Sequence, residues 1–201
     1  MTYPPAPCYW IKQSFEPWEF VGFETRNRYV ILDDADRVVG YAAEQSSGIL
    51  AFLARQLLGH WRPFEIHLYD AQRNPVGVAR HPFRFLFQRF DVEDAAGRAL
   101  GALQQRFAVF SKRFDVEDGA GNVVMTMTSG LFRIWTFPFE RNGQKVAEVR
   151  KRWGGVLREA FTDKDKFQLE LLDPSLSAAQ RTLLIASAMF IDVVFFEQKA
   201  R

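Results

Sequence analysis

Arg89–Leu103 reads RFDVEDAAGRALGAL, and Arg113–Met127 reads RFDVEDGAGNVVMTM. The two share RFDVED word for word, then pass through a polar turn into a second apolar segment. Period-two alternation running into Asp, Asn and Gly is the signal of a β-hairpin. The same unit recurs at Tyr29–Ala43 (YVILDDADRVVGYAA), Phe64–Arg80 (FEIHLYDAQRNPVGVAR) and Phe137–Trp153 (FPFERNGQKVAEVRKRW). Its faces are plain where Phe64, Ile66 and Leu68 alternate with Glu65, His67 and Tyr69. Phe167, Leu169 and Leu171 alternate with Gln168 and Glu170 in the same way.

These hairpins and the flanking segments near Phe20 and Phe167 predict about a dozen strands. A sheet of that size curls, splits or closes, and closure into a barrel removes exposed edges. The expected fold is mainly β, a closed antiparallel barrel. A solenoid or propeller would need a fixed period, but the first two units are spaced more widely than the later ones. The barrel is expected to occupy residues 9–197 as one domain, with residues 1–8 as a flexible tail.

Composition supports a single large core. Hydrophobic residues are 48% of the 201, Phe fills 20 positions, and aromatics reach 15%. Aromatic side chains favour strands. Charged residues are 25% and nearly balanced at a net +2, which is too mild to demand a nucleic-acid or anionic-membrane partner and argues against disorder. The single cysteine, Cys8, makes no internal disulfide, which leans to a reducing compartment. Met1–Pro17 is Pro-rich and aromatic, with no basic region followed by an apolar run, so no secretory signal is read there. The expected location is cytoplasmic, with any membrane met from that side.

Two segments break the β pattern. Ser47–His60 (SGILAFLARQLLGH) reads as a short helix on the barrel rim or on a lipid surface, with Ile49, Phe52, Leu53 and Leu57 on one face. Ala178–Glu197 (AAQRTLLIASAMFIDVVFFE) follows the start signals Pro174 and Ser177. Its run Thr182–Phe196 has 15 residues and one charge, Asp192. It includes Leu183, Leu184, Ile185, Met189, Phe190, Ile191, Phe195 and Phe196, so it is apolar all round and must be buried in protein or lipid. At about 1.5 Å per residue it covers on the order of 22 Å, against a hydrocarbon core of about 30 Å. An unpaired Asp192 in lipid would cost a few kcal/mol. The helix is expected inside the barrel, with Asp192 paired to Arg or to backbone donors; a bilayer span is the alternative.

No constellation for enzyme chemistry is visible. His60, His67 and His81 lack metal-ligand spacing and are expected at the surface or rim. No GxSxG, GxGxxG or P-loop occurs. Most carboxylates, such as Asp33, Asp34, Asp36, Asp94 and Asp118, fall in hairpin turns, where Asp ordinarily binds turn backbone. Asp163 and Asp165, with Asp173 further on, are a candidate for weak calcium binding. Read as a calcium loop the segment fails after Asp165, because Phe167, Gln168 and Pro174 stand where a ligand, a glycine and a glutamate belong. Basic residues form candidate headgroup contacts at Arg80, Arg84 and Arg89, and at Lys145, Arg150, Lys151 and Arg152. Each held near an anionic leaflet adds about 1 kcal/mol.

Lys151–Phe167 reads KRWGGVLREAFTDKDKF. This resembles the signature segment of the phospholipid scramblase family. Met189-Phe190-Ile191-Asp192 and Phe195-Phe196-Glu197 resemble that family's apolar helix, and Gly22-Phe23-Glu24-Thr25-x-Asn27-x-Tyr29 is similar to its upstream motif. Tyr41–Glu44 and Arg62–Phe64 also fit. The resemblance spans almost the whole chain. It implies the tubby-like fold of the LURP-one-related superfamily, a barrel of twelve strands around a central C-terminal helix. It also implies a phospholipid or membrane-surface partner, met through calcium-stimulated lipid scrambling or through headgroup binding by a soluble module. Calcium ligation carries over at Asp163 and Asp165 only. Scrambling would need a polar path that one short helix cannot provide, and hence oligomerisation.

The departures are informative. Animal scramblases carry a long Pro-rich N-terminal region, against Pro4, Pro5 and Pro7 here, so the chain reads as a short relative of bacterial type. They also carry a palmitate-accepting cysteine cluster, and the corresponding stretch here, His81–Phe87 (HPFRFLF), has none. Acylation at that place is excluded. Phe83, Phe85 and Phe87 alternate, and are expected to face the core.

Overall fold

The computed structural model describes residues 2–14, 25–45, 63–109, 111–130, 135–152 and 166–196. Its strands are β1 (Cys8–Ser14), β2 (Thr25–Asp33), β3 (Val38–Gln45), β4 (Phe64–Asp70), β5 (Pro75–His81) and β6 (Arg89–Asp94). They continue as β7 (Ala99–Arg106), β8 (Ser111–Asp118), β9 (Val123–Gly130), β10 (Thr136–Arg141), β11 (Gln144–Arg152) and β12 (Lys166–Leu171). Helix α1 (Ala178–Ile191) follows and passes into a π-helical turn, Asp192–Phe196. Every strand pairs antiparallel with its sequence neighbour, and β1 pairs with β12, which closes the barrel. The expected barrel and all five expected hairpins are present. Of the two flanking strands, one is β12 at Phe167, while Phe20 lies outside the described residues and the closing strand is β1.

A repeated turn sets four of the hairpins. In each, an Asp ends the first strand and its Oδ1 accepts the backbone N–H groups two and four residues on. Asp33 does so from Ala35 and Arg37, Asp70 from Gln72 and Asn74, Asp94 from Ala96 and Arg98, and Asp118 from Ala120 and Asn122, all at 2.8–2.9 Å. The fourth turn residue takes positive φ: Asp36 at 56°, Arg73 at 66°, Gly97 at 77° and Gly121 at 86°. This is a type I turn closed by a left-handed residue, with a bulge that shifts register just inside the turn. The fifth hairpin turns on Asn142 (φ 50°) and Gly143 (φ 77°), the residues a type I′ turn requires. Asp33, Asp94 and Asp118 thus serve the turn backbone as expected. Asp36 instead occupies the left-handed position and reaches Lys12 at 3.5 Å.

Helix α1 starts with a capping box. The Ser177 hydroxyl accepts from the Gln180 N–H, and the Gln180 side chain accepts from the Ser177 N–H. The helix then threads the barrel with Thr182–Ile191 all buried. Its length and composition would allow a membrane crossing, yet 72% of its most apolar window is buried inside the protein. The closest strand to it is made by a glycine: a Cβ on Gly101 would stand 2.8 Å from Leu183 Cδ2 and 2.2 Å from Glu117 O. Phe190 packs among Phe90 (centroids 5.0 Å), Phe114 (5.6 Å) and His81 (5.9 Å).

The N-terminal segment, expected as a tail, contributes to the core. Tyr3 is 2% exposed, seated against Gly40, and burial pushes its phenol pKa up. Tyr9 donates its hydroxyl to the Pro4 carbonyl, and Leu171 N–H donates to Pro7 at 2.8 Å. Aromatic bulk draws this segment over the end of the barrel where α1 enters.

Candidate functional site: the open rim of the barrel

The up-and-down topology sorts the connections into two rims. The tight hairpin turns and the N-terminus of α1 share one end. The strand ends Ser14, Gln45, His81, Arg106, Gly130 and Arg152 share the other, together with the C-terminal end of α1. We call these the turn rim and the loop rim.

The loop rim has an aromatic floor. Phe196 stacks on Trp135 at 5.1 Å and meets Phe167 at 5.7 Å, and Phe195 meets Phe137 at 5.4 Å. Two lysines close over this floor: Lys151 Nζ lies 4.1 Å from the Phe196 centroid and Lys112 Nζ lies 4.0 Å from that of Phe195. Such cation–π contacts hold a charge over an apolar surface. Below the floor, Tyr29 Oη donates to Asp192 Oδ2 at 2.9 Å, and Asn27 Nδ2 donates to Glu44 at 2.5 Å. Asp192 is buried in the protein as expected, with the Tyr29 hydroxyl as a partner rather than only Arg or backbone. His81, at the loop rim, is buried rather than at the surface, stacked on Phe64 at 4.8 Å and bonded to Gln88 at 2.5 Å. His67 is half-buried beside Glu65; burial lowers its pKa. His60 lies outside the described residues.

Above the floor, residues 82–88 leave β5 and bring out apolar side chains. Phe83 is 50% exposed, Phe85 63%, Leu86 72% and Phe87 41%. The expectation that these phenylalanines face the core is corrected: β5 ends at His81, so the strand alternation that would turn them inward does not reach them. The neighbouring connection from β7 to β8 adds Phe107 at 78% and Val109 at 70%. The two loops are tied together, because Gln105 N–H donates to Gln88 O at 2.8 Å and Gln88 N–H donates to Gln105 Oε1 at 3.0 Å.

The expected headgroup cations do not converge. Arg80 is bonded to Glu65 and Glu93, and Arg89 to Asp91 (2.7 Å) and Glu117 (2.9 Å). Lys145 (2.9 Å) and Arg150 both hold Glu148. Burial pushes that carboxyl up, but the two cations together hold it below its ordinary value. Arg152 donates to Gln168, and Lys151 turns inward over Phe196 and Phe167. Carboxylates of the same strand or of strands alongside neutralise Arg80, Arg89, Lys145 and Arg150. Arg84 differs again. It stands exposed among the loop aromatics and makes no ion pair among the described residues.

Of the calcium candidates, Asp173 alone lies among the described residues. Asp163 and Asp165 lie outside the described residues, as does the expected helix at 47–60. Asp173 sits on the turn rim, accepting from Ser175 N–H at 2.8 Å and from Arg141 at 3.0 Å. Among the described residues no group of three or more His, Cys, Asp or Glu could hold a metal ion.

A sequence model of the Scramblase family matches residues 7–198. The chain belongs to the scramblase family. Among scramblase relatives, human phospholipid scramblase 1 is 29% identical over 204 residues, which cover 93% of this chain and 62% of the human protein. Human phospholipid scramblase 2 is 27% identical, with 94% of this chain and 67% of that protein covered. A fission-yeast phospholipid scramblase family protein, C343.06c of Schizosaccharomyces pombe, is 36% identical over a shorter stretch, 36% of this chain and 19% of that protein. The chain therefore spans under two thirds of the length of human phospholipid scramblase 1. An X-ray structure of an Arabidopsis thaliana protein matches with a TM-score of 0.54 at 12% identity, covering 93% of each chain, a likeness of fold. The scramblase match takes in both rims, since it runs from before β1 to the end of the π-helical turn.

Proposed function

We propose that this chain is a phospholipid-directed protein that works as a folded barrel at the cytoplasmic surface of a membrane, with its C-terminal helix kept inside. The observation that carries this reading is the burial of Thr182–Ile191 within a barrel of the scramblase family. Family membership supports lipid as the partner. The enclosed helix supports peripheral binding ahead of a membrane span, because withdrawing α1 into lipid would expose the inner faces of all twelve strands. The lone Cys8 accords with a reducing compartment.

The test starts with the full chain expressed without detergent. The expected result is a soluble protein that sediments with phospholipid vesicles and is released by alkaline carbonate. Resistance to alkaline extraction would mean that the helix inserts, and would overturn the peripheral reading. Failure to bind any vesicle, with calcium or with chelator, would overturn the lipid reading. A fluorescent-phospholipid scrambling assay on reconstituted vesicles then separates binding from transbilayer movement.

A further inference from the structure

Resting on the lipid reading, we propose that the loop rim is the face that enters the membrane. Phe83, Phe85, Leu86, Phe87, Phe107 and Val109 would sink into the interface of an anionic bilayer, with Arg84 on the headgroups. Three observations converge. The six side chains are exposed on two loops that hydrogen bonds tie side by side. A contiguous exposed apolar patch of this kind marks an interaction surface. Both stretches are connections between strands at one end of the barrel, and aromatic rings are favoured at the depth of a membrane interface.

The charge pattern selects the occupant. From Arg80 to Phe90 and from Gln104 to Phe114 there is no acidic residue, while Arg80, Arg84, Arg89, Arg106, Lys112 and Arg113 all fall in these stretches. The carboxylates that neutralise this side stand farther down the strands: Glu65 and Glu93 at Arg80, Asp91 and Glu117 at Arg89, Asp115 and Glu117 at Arg106, and Asp115 at Arg113. These two loops therefore present apolar tips and a cation to whatever lies above them. That is the complement of an anionic leaflet, where basic residues add to apolar insertion. No acylated cysteine is needed, because the aromatic side chains supply the apolar anchor themselves.

Vesicle sedimentation of the full chain tests the assignment, using phosphatidylcholine vesicles with and without phosphatidylserine. The triple variant Phe85→Ser, Leu86→Ser, Phe107→Ser is expected to bind both vesicle types roughly tenfold or more weakly, at an unchanged melting transition. Arg84→Gln is expected to lose roughly fivefold on the serine-containing vesicles only. The matched triple on the turn rim, Val38→Ser, Val123→Ser, Leu172→Ser, is expected to bind as the parent does. Parent binding that survives the loop-rim triple overturns the rim assignment and leaves the lipid reading standing. A parent that binds no vesicle overturns both. A parent dimer that the loop-rim triple dissociates, with vesicle binding unchanged, assigns the rim to a second copy of this chain and overturns the membrane assignment.

Discussion

The two rims of this barrel are built from the same twelve strands and have opposite chemistry. At the turn rim, four connections repeat one solution: an Asp carboxylate folded back on its own turn, a left-handed fourth residue, and a polar tip. Exposed apolar residues there are single, at Val38, Val123 and Leu172. At the loop rim the described connections carry six large exposed apolar side chains on two adjacent loops and no carboxylate. At one end the turn carboxylates and the N–H groups facing them satisfy one another locally. The two described loops at the other end leave apolar side chains exposed, which folding alone does not require. The helix joins the two, capped by Ser177 at the turn rim and ending in π geometry at the loop rim, a local irregularity found frequently at functional sites.

The largest effect should come from the helix common to both ends. Ile191→Lys puts an unpaired charge at a fully buried position next to the aromatic floor. It is expected to abolish the cooperative unfolding transition seen by circular dichroism, since an uncompensated buried charge is strongly destabilising. A soluble variant with the parent's melting temperature would sink the enclosed helix. Phe190→Ala gives a graded version, expected to cost about 3–5 kcal/mol in denaturant titration.

Next comes acid sensitivity, which should belong to the turn rim. The Asp94 and Asp118 carboxyls lie below their ordinary range, chiefly because the backbone N–H groups of Arg98 and Asn122 bond the charged form. For Asp70 the main cause is the Asn74 side chain. A carboxyl whose folded pKa is depressed adds stability that is present above its unfolded value, about 3.9. That stability is lost as pH falls through the lower folded value. The melting temperature should therefore drop steeply below about pH 4. The double variant Asp94→Asn, Asp118→Asn should melt lower than the parent at neutral pH and show a shallower acid slope. Equal slopes would remove these turns as the acid-sensitive element.

Much of this contrast was legible in the sequence. RFDVED at Arg89 and Arg113 announces the hairpins because alternation and turn chemistry agree there, and Ser177 announces the helix start. The loop rim was misread at Phe83, Phe85 and Phe87 because their alternation imitates a strand, and only the end of β5 at His81 shows otherwise. Pairing of Arg80 was hidden because Glu65 and Glu93 come from the adjacent strands β4 and β6, and that of Arg89 with Glu117 because β8 lies two strands away. Tyr3 looked like part of a tail because nothing local marks a residue that seats on Gly40.

A smaller effect probes the repeated turn. Asp36 takes the left-handed position that glycine fills in the β6–β7 and β8–β9 turns. Asp36→Gly removes that backbone penalty and should stabilise by up to about 1 kcal/mol, read as a higher denaturation midpoint with an unchanged slope. Loss of the exposed Lys12 contact, at 3.5 Å, offsets little.

The smallest effect is the most telling for the comparison. Phe85 and Phe107 are 63% and 78% exposed, so serine at either position removes little buried area. Surface substitutions away from packing and polar networks usually change stability by within about 0.5 kcal/mol. Phe85→Ser and Phe107→Ser should therefore unfold at the parent's denaturant midpoint, while Phe90→Ala, five residues from Phe85 but fully buried against Phe190, should lose about 3–5 kcal/mol. If the two serine variants destabilise as strongly as Phe90→Ala, the rim phenylalanines serve the fold. If they are neutral, the aromatic side chains at this rim contribute nothing to the folded chain that serine does not, and their role lies in what the rim touches.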